Sequence, residues 1–155
     1  ENAELKLMKN PVAVSEHTWY LGEIPRGFPF EQARAVGETL SNCGCCWESD
    51  TMADDSSLAL SLPDGVFVVT GCAHAGVCNT VKYAKEVIGK ERVLGVLGGF
   101  HLFETGEALD QTITTLLELG VERVFPAHCT SLAVKSAFFH ALDTVEVGVG
   151  LKLEW

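Results

Sequence analysis

The sequence predicts an α/β fold in which a largely parallel sheet is covered by helices. From residue 66 to residue 150, strand-like apolar runs alternate with segments of helical spacing in the order βαβαβαβ. Alternation of this kind is typical of parallel sheets with crossover helices. Each of the three central strands ends in a short loop with small residues and one histidine. The 155 residues suffice for a single domain, 1–155, with a sizeable core.

The first part of the chain, residues 1–62, lacks this regular pattern and is expected to be mostly irregular. Local composition predicts β-type residues at 12–22, a turn-rich loop at 22–31, a short helix at 32–40 and a loop at 41–57. The stretch SLALSLP (57–63) alternates and predicts a strand. Pro63-Asp64-Gly65 then marks a turn before VFVVT (66–70), which predicts a β-hairpin.

The second part, residues 63–155, is predicted to be regular throughout. The segment 79–89 has helical spacing, with Asn79 as the expected N-cap and Gly89 as the C-terminal stop. A later helix is expected to be capped by Ser131. The remaining elements follow by the same criteria: strands at 93–97, 121–125 and 144–155, and helices at 108–120 and 131–142.

Charge and cysteine content narrow the function classes. The net charge of −10 and the lack of a Lys/Arg run argue against nucleic acid as a partner. No apolar run approaches the roughly 20 residues needed to cross a bilayer, so no membrane association is expected. The six cysteines, three of them within regular α/β sequence, predict free thiols in a cytoplasmic setting. These features favour a small-molecule substrate.

Three histidines follow the central strands at equal intervals. His74, His101 and His128 are 27 residues apart, each just beyond a predicted strand. Ligands of open α/β sheets bind beyond the carboxyl ends of the strands, so we expect the three loops to converge there. Neutral imidazole is a common zinc ligand and also suits iron. The sequence therefore predicts a metal site, and His17 and His140 lack the same setting.

Other interpretations of these residues remain open. Each histidine could instead cap a helix or bond a backbone carbonyl, and Cys72 or Cys129 could act as a nucleophile beside a histidine. The Cys43-Gly44-Cys45-Cys46 stretch could bind zinc through thiolates, although no second ligand pair completes it. Asp54-Asp55 is either a carboxylate pair near the site or a solvated turn. A phosphate-binding P-loop is not supported, because Val77-Cys78 follows the Gly71–Gly76 spacing.

Several longer stretches resemble motifs of one protein family. TGCAHAGVCNTVKYA (70–84), GGFHL (98–102) and PAHCT (126–130) resemble the metallo-β-lactamase superfamily. The similarity is greatest to the branch of 7,8-dihydropterin-6-methyl-4-(β-D-ribofuranosyl)-aminobenzene-5′-phosphate synthase-like metallohydrolases, which GEIPR (22–26) and DDSSLAL (54–60) also resemble. The resemblance implies an αββα sandwich with one or two divalent metal ions between its sheets. Zinc is the first candidate, with manganese or iron as alternatives.

The resemblance also implies roles for individual residues. His74 matches the third-motif histidine, a ligand of the first metal, and His128 matches the last histidine, a ligand of the second. His101 stands where many members place a bridging aspartate, so it is a ligand, a residue that supports one, or a substrate contact. Arg26, in the GEIPR loop, is a further prediction as an anion contact of the substrate.

The superfamily signature H-x-H-x-D-H is absent from this sequence. In the family it lies in the N-terminal half of the sandwich, so the resemblance implies that this chain is the C-terminal half. The chain opens with Glu1, which fits a processed chain or a fragment. The remaining ligands would then come from the N-terminal half or from a second copy of the chain, and an oligomer is expected.

Two functions follow as hypotheses. The first is the C-terminal part of a metal-dependent hydrolase, in which a metal-activated water attacks a phosphoester or a related electrophile. The alternative is a non-catalytic remnant that acts as a ligand-binding or protein-interaction module. Loss of the H-x-H-x-D-H motif favours the remnant, whereas the presence of His74, His101 and His128 in their loops favours the enzyme.

Overall fold

A mixed β-sheet flanked by helices forms the centre of the computed structural model, which describes residues 4–31, 35 and 37–155. The strands are β1 (Val12–Ala13), β2 (Thr18–Tyr20), β3 (Gly37–Leu40), β4 (Trp47–Asp50), β5 (Ser57–Leu62), β6 (Gly65–Thr70), β7 (Val93–Gly98), β8 (Arg123–Pro126) and β9 (Asp143–Thr144). The helices are α1 (Val77–Ile88), α2 (Glu107–Glu118) and α3 (Leu132–Ala141), with a short 3₁₀ helix at Pro29–Glu31.

The order of strands in the large sheet is β1-β2-β5-β6-β7-β8-β9, and β3 pairs with β4 in a separate hairpin. Strands β1, β2, β5 and β6 pair antiparallel, whereas β6 to β9 pair parallel. The parallel part is the one in which each strand is followed by a crossover helix, as the βαβ pattern predicts. The predicted fold class, a mixed sheet with covering helices, is therefore confirmed.

Alternation along β6 divides its side chains between the two faces of the sheet. Val66 and Val68 are fully buried in the main core, where the helices contribute Val81, Leu116 and Phe138. Phe67 faces the other way and packs with Leu94 and Phe125 in a smaller cluster. The C-terminal segment covers this second face through Val145, Val147, Leu153 and Trp155, and the ring centroids of Trp155 and Phe67 lie 5.3 Å apart.

The predicted final strand at 144–155 is wrong for most of its length. Only Asp143–Thr144 pairs with β8, and residues 145–155 form no strand. The alternation of Val145 and Val147 instead reflects packing on the second sheet face, because a segment crossing a flat apolar surface also buries every second side chain. The same pattern of hydrophobicity therefore has two structural causes.

The segment between residues 32 and 57 also differs from the prediction. Residues 37–40 form strand β3, not part of a helix, while residues 32–34 and 36 lie outside the described part of the chain. Residues 47–50 form β4, where only a loop was expected. The two strands are short and exposed, and they form because the turn at 41–46 brings Leu40 opposite Trp47.

The cysteines of this turn correct another expectation. Cys43 and Cys45 are joined by a disulfide, so free thiols are found only at Cys46, Cys72, Cys78 and Cys129. Gly44, with φ of 65°, closes the turn and places the flanking Cα atoms 5.3 Å apart, within the usual range for a disulfide.

The N-terminus of α1 is capped by a residue distant in sequence. The helix begins at Val77, and the Glu31 carboxylate accepts hydrogen bonds from the amides of Cys78 (2.7 Å) and Asn79 (2.8 Å). The predicted N-cap at Asn79 is therefore wrong, because a carboxylate from the 3₁₀ helix already occupies this end. Glu31 fits against Gly76, where a Cβ atom would lie 2.2 Å from a carboxylate oxygen.

Asn79 instead fastens the GEIPR loop to α1. Its Oδ1 accepts from the amides of Gly27 (2.8 Å) and Phe28 (3.1 Å), and its Nδ2 donates to the Ala75 carbonyl (2.9 Å). The side chain is buried, so all three bonds are shielded from water. This residue thereby links the loop that carries Arg26 to the loop that carries His74.

We expect Asn79→Ala to lower the free energy of unfolding by about 2–3 kcal/mol, because truncation leaves buried polar groups without partners. Urea unfolding monitored by circular dichroism measures this change. Asn79→Asp keeps the acceptor and loses the donor, so it should cost less than Asn79→Ala. Equal stability of Asn79→Ala and the unmodified chain would contradict the assigned role.

Candidate metal centre

The three histidine-bearing loops meet at the carboxyl edge of the parallel strands. The Gly99 amide donates to the Gly71 carbonyl (2.8 Å), and the Ala127 amide donates to the Gly98 carbonyl (2.8 Å). The Leu102 amide also donates to the Cys129 carbonyl (3.1 Å). These bonds continue the parallel pairing beyond β6, β7 and β8, so neighbouring loops leave the sheet side by side.

His74 and His101 form the first part of the site. Their ring centroids lie 4.3 Å apart, and the His101 ring also contacts Phe103 edge-on at 5.0 Å. Both histidines are half-buried. The two imidazoles are thus close enough to bind a common ion or a common substrate group.

His128 lies in a second group of potential ligands. Its Nε2 is 3.3 Å from Cys72 Sγ, and the Cys129 thiol donates to the Cys72 carbonyl at 3.7 Å. The ligand atoms of Cys72, His128 and Cys129 all lie within 4.8 Å of one another. Among the residues that the structure describes, no such group of three includes His74 or His101. The structure therefore pairs the predicted ligands as His74 with His101 and His128 with two cysteines.

Backbone strain is concentrated in these loops. In the described part of the chain, four non-glycine residues have positive φ, and three are in the histidine loops: Ala73 (54°), His101 (48°) and Cys129 (45°). Left-handed backbone costs a non-glycine residue about 1–2 kcal/mol, and such strain is often found at functional sites. Its recurrence at all three strand ends favours a functional reason for the loop conformations.

Asp55 is brought to the same edge. Its Oδ2 accepts from the Ala75 amide at 2.9 Å, next to His74, and the residue is half-buried, whereas Asp54 is exposed. The sequence is compatible with a carboxylate pair near the site or with a solvated turn, and the structure places one carboxylate in each setting. Asp55 fixes the loop of His74 and adds negative charge beside it.

The Arg26 guanidinium donates some of its hydrogen bonds to backbone carbonyls. Its Nη2 donates to the carbonyls of Thr51 (2.5 Å) and Met52 (3.1 Å). A cleft of about 340 Å³ lies beside it and is also lined by Asp55 and Ala75. A guanidinium has five N–H donors, so these bonds leave others for an anion. The anion contact stays a prediction.

A larger cleft, of about 470 Å³, opens beside His74 and His101. Phe30 and Glu31 form one wall, and Phe103 with the start of α2 at Gly106 forms another. Its mixture of aromatic and polar side chains is typical of small-molecule sites. The cleft places a bound molecule within reach of the two imidazoles.

The Glu31 carboxyl in the wall of the larger cleft is mostly buried, and this burial raises its pKa above the usual value of 4.5. The effect of burial outweighs the hydrogen bonds from the Cys78 and Asn79 amides, which lower the pKa. The folded state therefore favours the protonated carboxyl, so stability from this group is full below pH 4.5 and is lost as pH rises through the raised pKa. Relative to Glu31→Gln, the unmodified chain should lose stability over that window. Urea unfolding at several pH values measures the difference. A difference that grows with pH would show that the amide bonds dominate.

The surroundings of Cys129 disfavour a role for its thiol as a nucleophile. Burial raises the pKa of the Cys129 thiol, and the neighbouring Cys72 and Asp55 add to the rise, against a lowering contribution from the His101 amide. A thiol that stays protonated at neutral pH attacks electrophiles slowly. A bound cation favours the deprotonated form of a thiol, so the Cys129 sulfur would bind a metal as a thiolate.

The donor set fits a metal ion of borderline softness. Imidazole nitrogens and thiolate sulfurs are the ligands that zinc prefers, and iron accepts both. His74, His101, Cys72, His128 and Cys129 provide five such groups at one edge of the sheet. From the sequence, Cys72 and Cys129 were predicted only as possible nucleophiles. Their positions two residues before His74 and directly after His128 were the available signal for a ligand role.

Comparisons with known proteins agree with this architecture. No family model matches the chain. The chain is 30% identical over 135 residues to the 7,8-dihydropterin-6-methyl-4-(β-D-ribofuranosyl)-aminobenzene-5′-phosphate synthase of Methanocaldococcus jannaschii, covering 85% of this chain and 46% of the relative. An uncharacterized protein of the same archaeon is 25% identical over 130 residues, with 84% and 46% covered.

Structural comparison gives the class. A crystal structure of a metal-dependent hydrolase of the β-lactamase superfamily superposes with a TM-score of 0.81 at 25% identity, covering 98% of this chain and 58% of that one. The chain has the fold of the metallo-β-lactamase superfamily. Within it, the chain is similar to the synthase of M. jannaschii, which agrees with the motif resemblance. It spans about half the length of the curated relatives it matches.

Among the described residues, no helix has the length and apolar character required to span a membrane.

Proposed function

We propose that the chain forms one side of the active site of a metal-dependent hydrolase. The observation that carries the proposal is the meeting of three strained histidine loops at one sheet edge, with Cys72, His128 and Cys129 within ligand distance of one another. The homologous crystal structure is that of a metal-dependent hydrolase, which supports the same chemistry. A cytoplasmic location with a small-molecule substrate is part of the proposal.

The residues at this sheet edge would have distinct roles. His74 and His128 hold divalent metal, with His101 as a further ligand or a substrate contact. A bound divalent ion would supply Lewis acidity and would lower the pKa of a water molecule bound to it, so that the water can act as a nucleophile near neutral pH. Asp55 fixes the His74 loop through the Ala75 amide, which limits movement of that imidazole. The aromatic walls of the larger cleft exclude water from one side of the substrate.

We propose a phosphoester or a related electrophile as the substrate. Arg26 would orient its anionic group with the guanidinium donors that Thr51 and Met52 leave free. The product named for the related synthase of M. jannaschii contains a phosphate group. Zinc is the first candidate for the metal, with manganese or iron as alternatives.

The site needs further ligands from outside this chain. The H-x-H-x-D-H motif is absent from the sequence, and the chain covers 58% of the homologous crystal structure. We propose that the N-terminal half of the fold, or a second copy of the chain, supplies them. Metal affinity should therefore depend on that partner.

Metal analysis tests the proposal. The chain is purified alone and together with its N-terminal half, and each preparation is assayed for metal and for hydrolysis of a chromogenic phosphodiester. We expect about two divalent ions and hydrolysis in the combined preparation, as in two-metal hydrolases. If neither preparation retains metal after dialysis, the enzyme proposal is wrong.

The alternative is a non-catalytic module, favoured by the missing signature motif. It predicts that the combined preparation binds partner or ligand but neither holds metal nor turns over a phosphodiester.

A further inference from the structure

The turn of the β3–β4 hairpin carries a second cluster of sulfur ligands, separate from the histidine loops. Cys43, Cys45 and Cys46 lie at its tip, and their Sγ atoms are all within 4.8 Å of one another. All three residues are exposed. The proposed hydrolase uses none of them.

The turn holds the three sulfurs through a short network. Ser41 Oγ lies 3.1 Å from Cys43 Sγ and accepts a hydrogen bond from Cys46 Sγ at 3.2 Å. The Ser41 amide donates to the Cys46 carbonyl at 2.9 Å, which closes the turn. Gly44, in the left-handed region, lets the chain reverse tightly enough to keep the sulfurs together.

The state of the sulfurs depends on oxidation. In the structure Cys43 and Cys45 form a disulfide, and the Cys46 thiol is free, with its Sγ 4.0 Å from that of Cys45. Reduction of this one bond converts a single free thiol into three adjacent thiols. The number of available ligands therefore changes from one to three in a single reductive step.

The surrounding charges favour metal binding. From Gly37 to Ser56 the sequence contains five acidic residues and no lysine or arginine. A cation therefore meets no lysine or arginine contributed by residues 37–56. Three of the acidic residues, Glu38, Glu48 and Asp50, lie on the paired strands themselves.

We propose that Cys43, Cys45 and Cys46 form a redox-gated site for one monovalent copper ion. Two molecules of a thiol reductant break the Cys43–Cys45 bond: each cysteine sulfur gains one electron and one proton, and the two reductant thiols join in a disulfide. The copper ion then binds, and one thiol proton is released for each Cu–S bond formed.

The coordination number selects copper over zinc. Structural zinc sites almost always have four protein ligands in a tetrahedron, whereas this turn provides three sulfurs and no histidine. Soft thiolates select monovalent copper, which accepts three-coordinate sulfur sites. The oxidised turn keeps a single thiol and is expected to bind copper weakly.

Competition titration under anaerobic conditions tests the site in the full natural polypeptide. A Cys72→Ser/Cys129→Ser background removes the thiols of the histidine edge, and monovalent copper is titrated against a chromogenic chelator before and after reduction. We expect one additional copper per chain after reduction. X-ray absorption should show sulfur neighbours only, and bound copper should protect the three cysteines from alkylation in peptide mass spectra.

Single substitutions locate the binding. Cys43→Ser, Cys45→Ser and Cys46→Ser should each weaken copper binding at least about tenfold, whereas Ser49→Ala, opposite Glu38 on the same hairpin, should not. Unchanged binding in all three cysteine variants would overturn the proposal. So would equal binding by oxidised and reduced protein, or tighter binding of zinc than of copper at the reduced turn.

Discussion

Replacement of Gly99 by alanine is expected to destabilise the fold by at least about 3 kcal/mol, because one methyl group added to the His101 loop would collide with the other two histidine loops. A Cβ at this buried position would lie 2.3 Å from Cys129 Sγ, 2.8 Å from the His128 carbonyl and 2.9 Å from the Gly71 carbonyl. Two of these atoms are backbone, which cannot move aside by a change of rotamer. Urea unfolding measures the loss.

Gly71→Ala is the matched control in the same part of the sheet. Nothing lies within 4 Å of a Cβ at Gly71, so its unfolding free energy should change by no more than about 0.5 kcal/mol. If the Gly99→Ala and Gly71→Ala variants unfold at the same urea concentration, the loops are not packed as the structure shows them.

Replacement of His128 by alanine in the combined preparation is expected to lower metal content and to reduce phosphodiester hydrolysis by at least about 100-fold. The physical reason is loss of an imidazole whose Nε2 lies 3.3 Å from Cys72 Sγ, in a group of three potential ligands whose atoms lie within 4.8 Å of one another. Even residues that merely support a metal ligand cost about 10–100-fold when changed, so a ligand should cost more. Metal analysis and initial rates are measured on the same samples.

His140→Ala is the control for this prediction, because His140 is an exposed residue near the end of α3. It should leave metal content and rate unchanged. Cys72→Ser distinguishes a sulfur ligand from a bystander, since it should lower metal content only if the thiolate binds. Full metal content in the His128→Ala variant would remove His128 from the ligand set.

The strained loops connect stability with function in this fold. Ala73, His101 and Cys129 have left-handed backbone conformations, which non-glycine residues rarely adopt. Close backbone contacts at Gly98 and Gly99 leave these loops little space to relax into other conformations. The sheet edge therefore fixes the direction in which each imidazole leaves its strand. A metal or substrate bound there, as proposed, would meet imidazoles that are already oriented, which would lower the entropic cost of binding.

Local periodicity was sufficient for the regular half of the fold. The strands at 57–63, 66–70, 93–97 and 121–125 and all three helices are confirmed within a few residues. Helix ends were predicted well where the cap is local: Ser131 Oγ accepts from the Val134 amide, and Gly89 ends α1 with φ of 71°. The prediction failed at the start of α1, where the capping carboxylate belongs to Glu31, 46 residues before Val77.

The sequence by itself determined the α/β class, the resemblance to the metallo-β-lactamase superfamily and the three histidine loops, because alternation, helical spacing and contiguous motifs are local properties of the chain. Only the tertiary structure decided which of the candidate ligands are neighbours: His74 lies beside His101, and His128 lies beside Cys72 and Cys129. It also decided that residues 145–155 cover a sheet face instead of extending the sheet. Distances between loops depend on strand order and register, which are set by long-range pairing and carry no signature within any single segment.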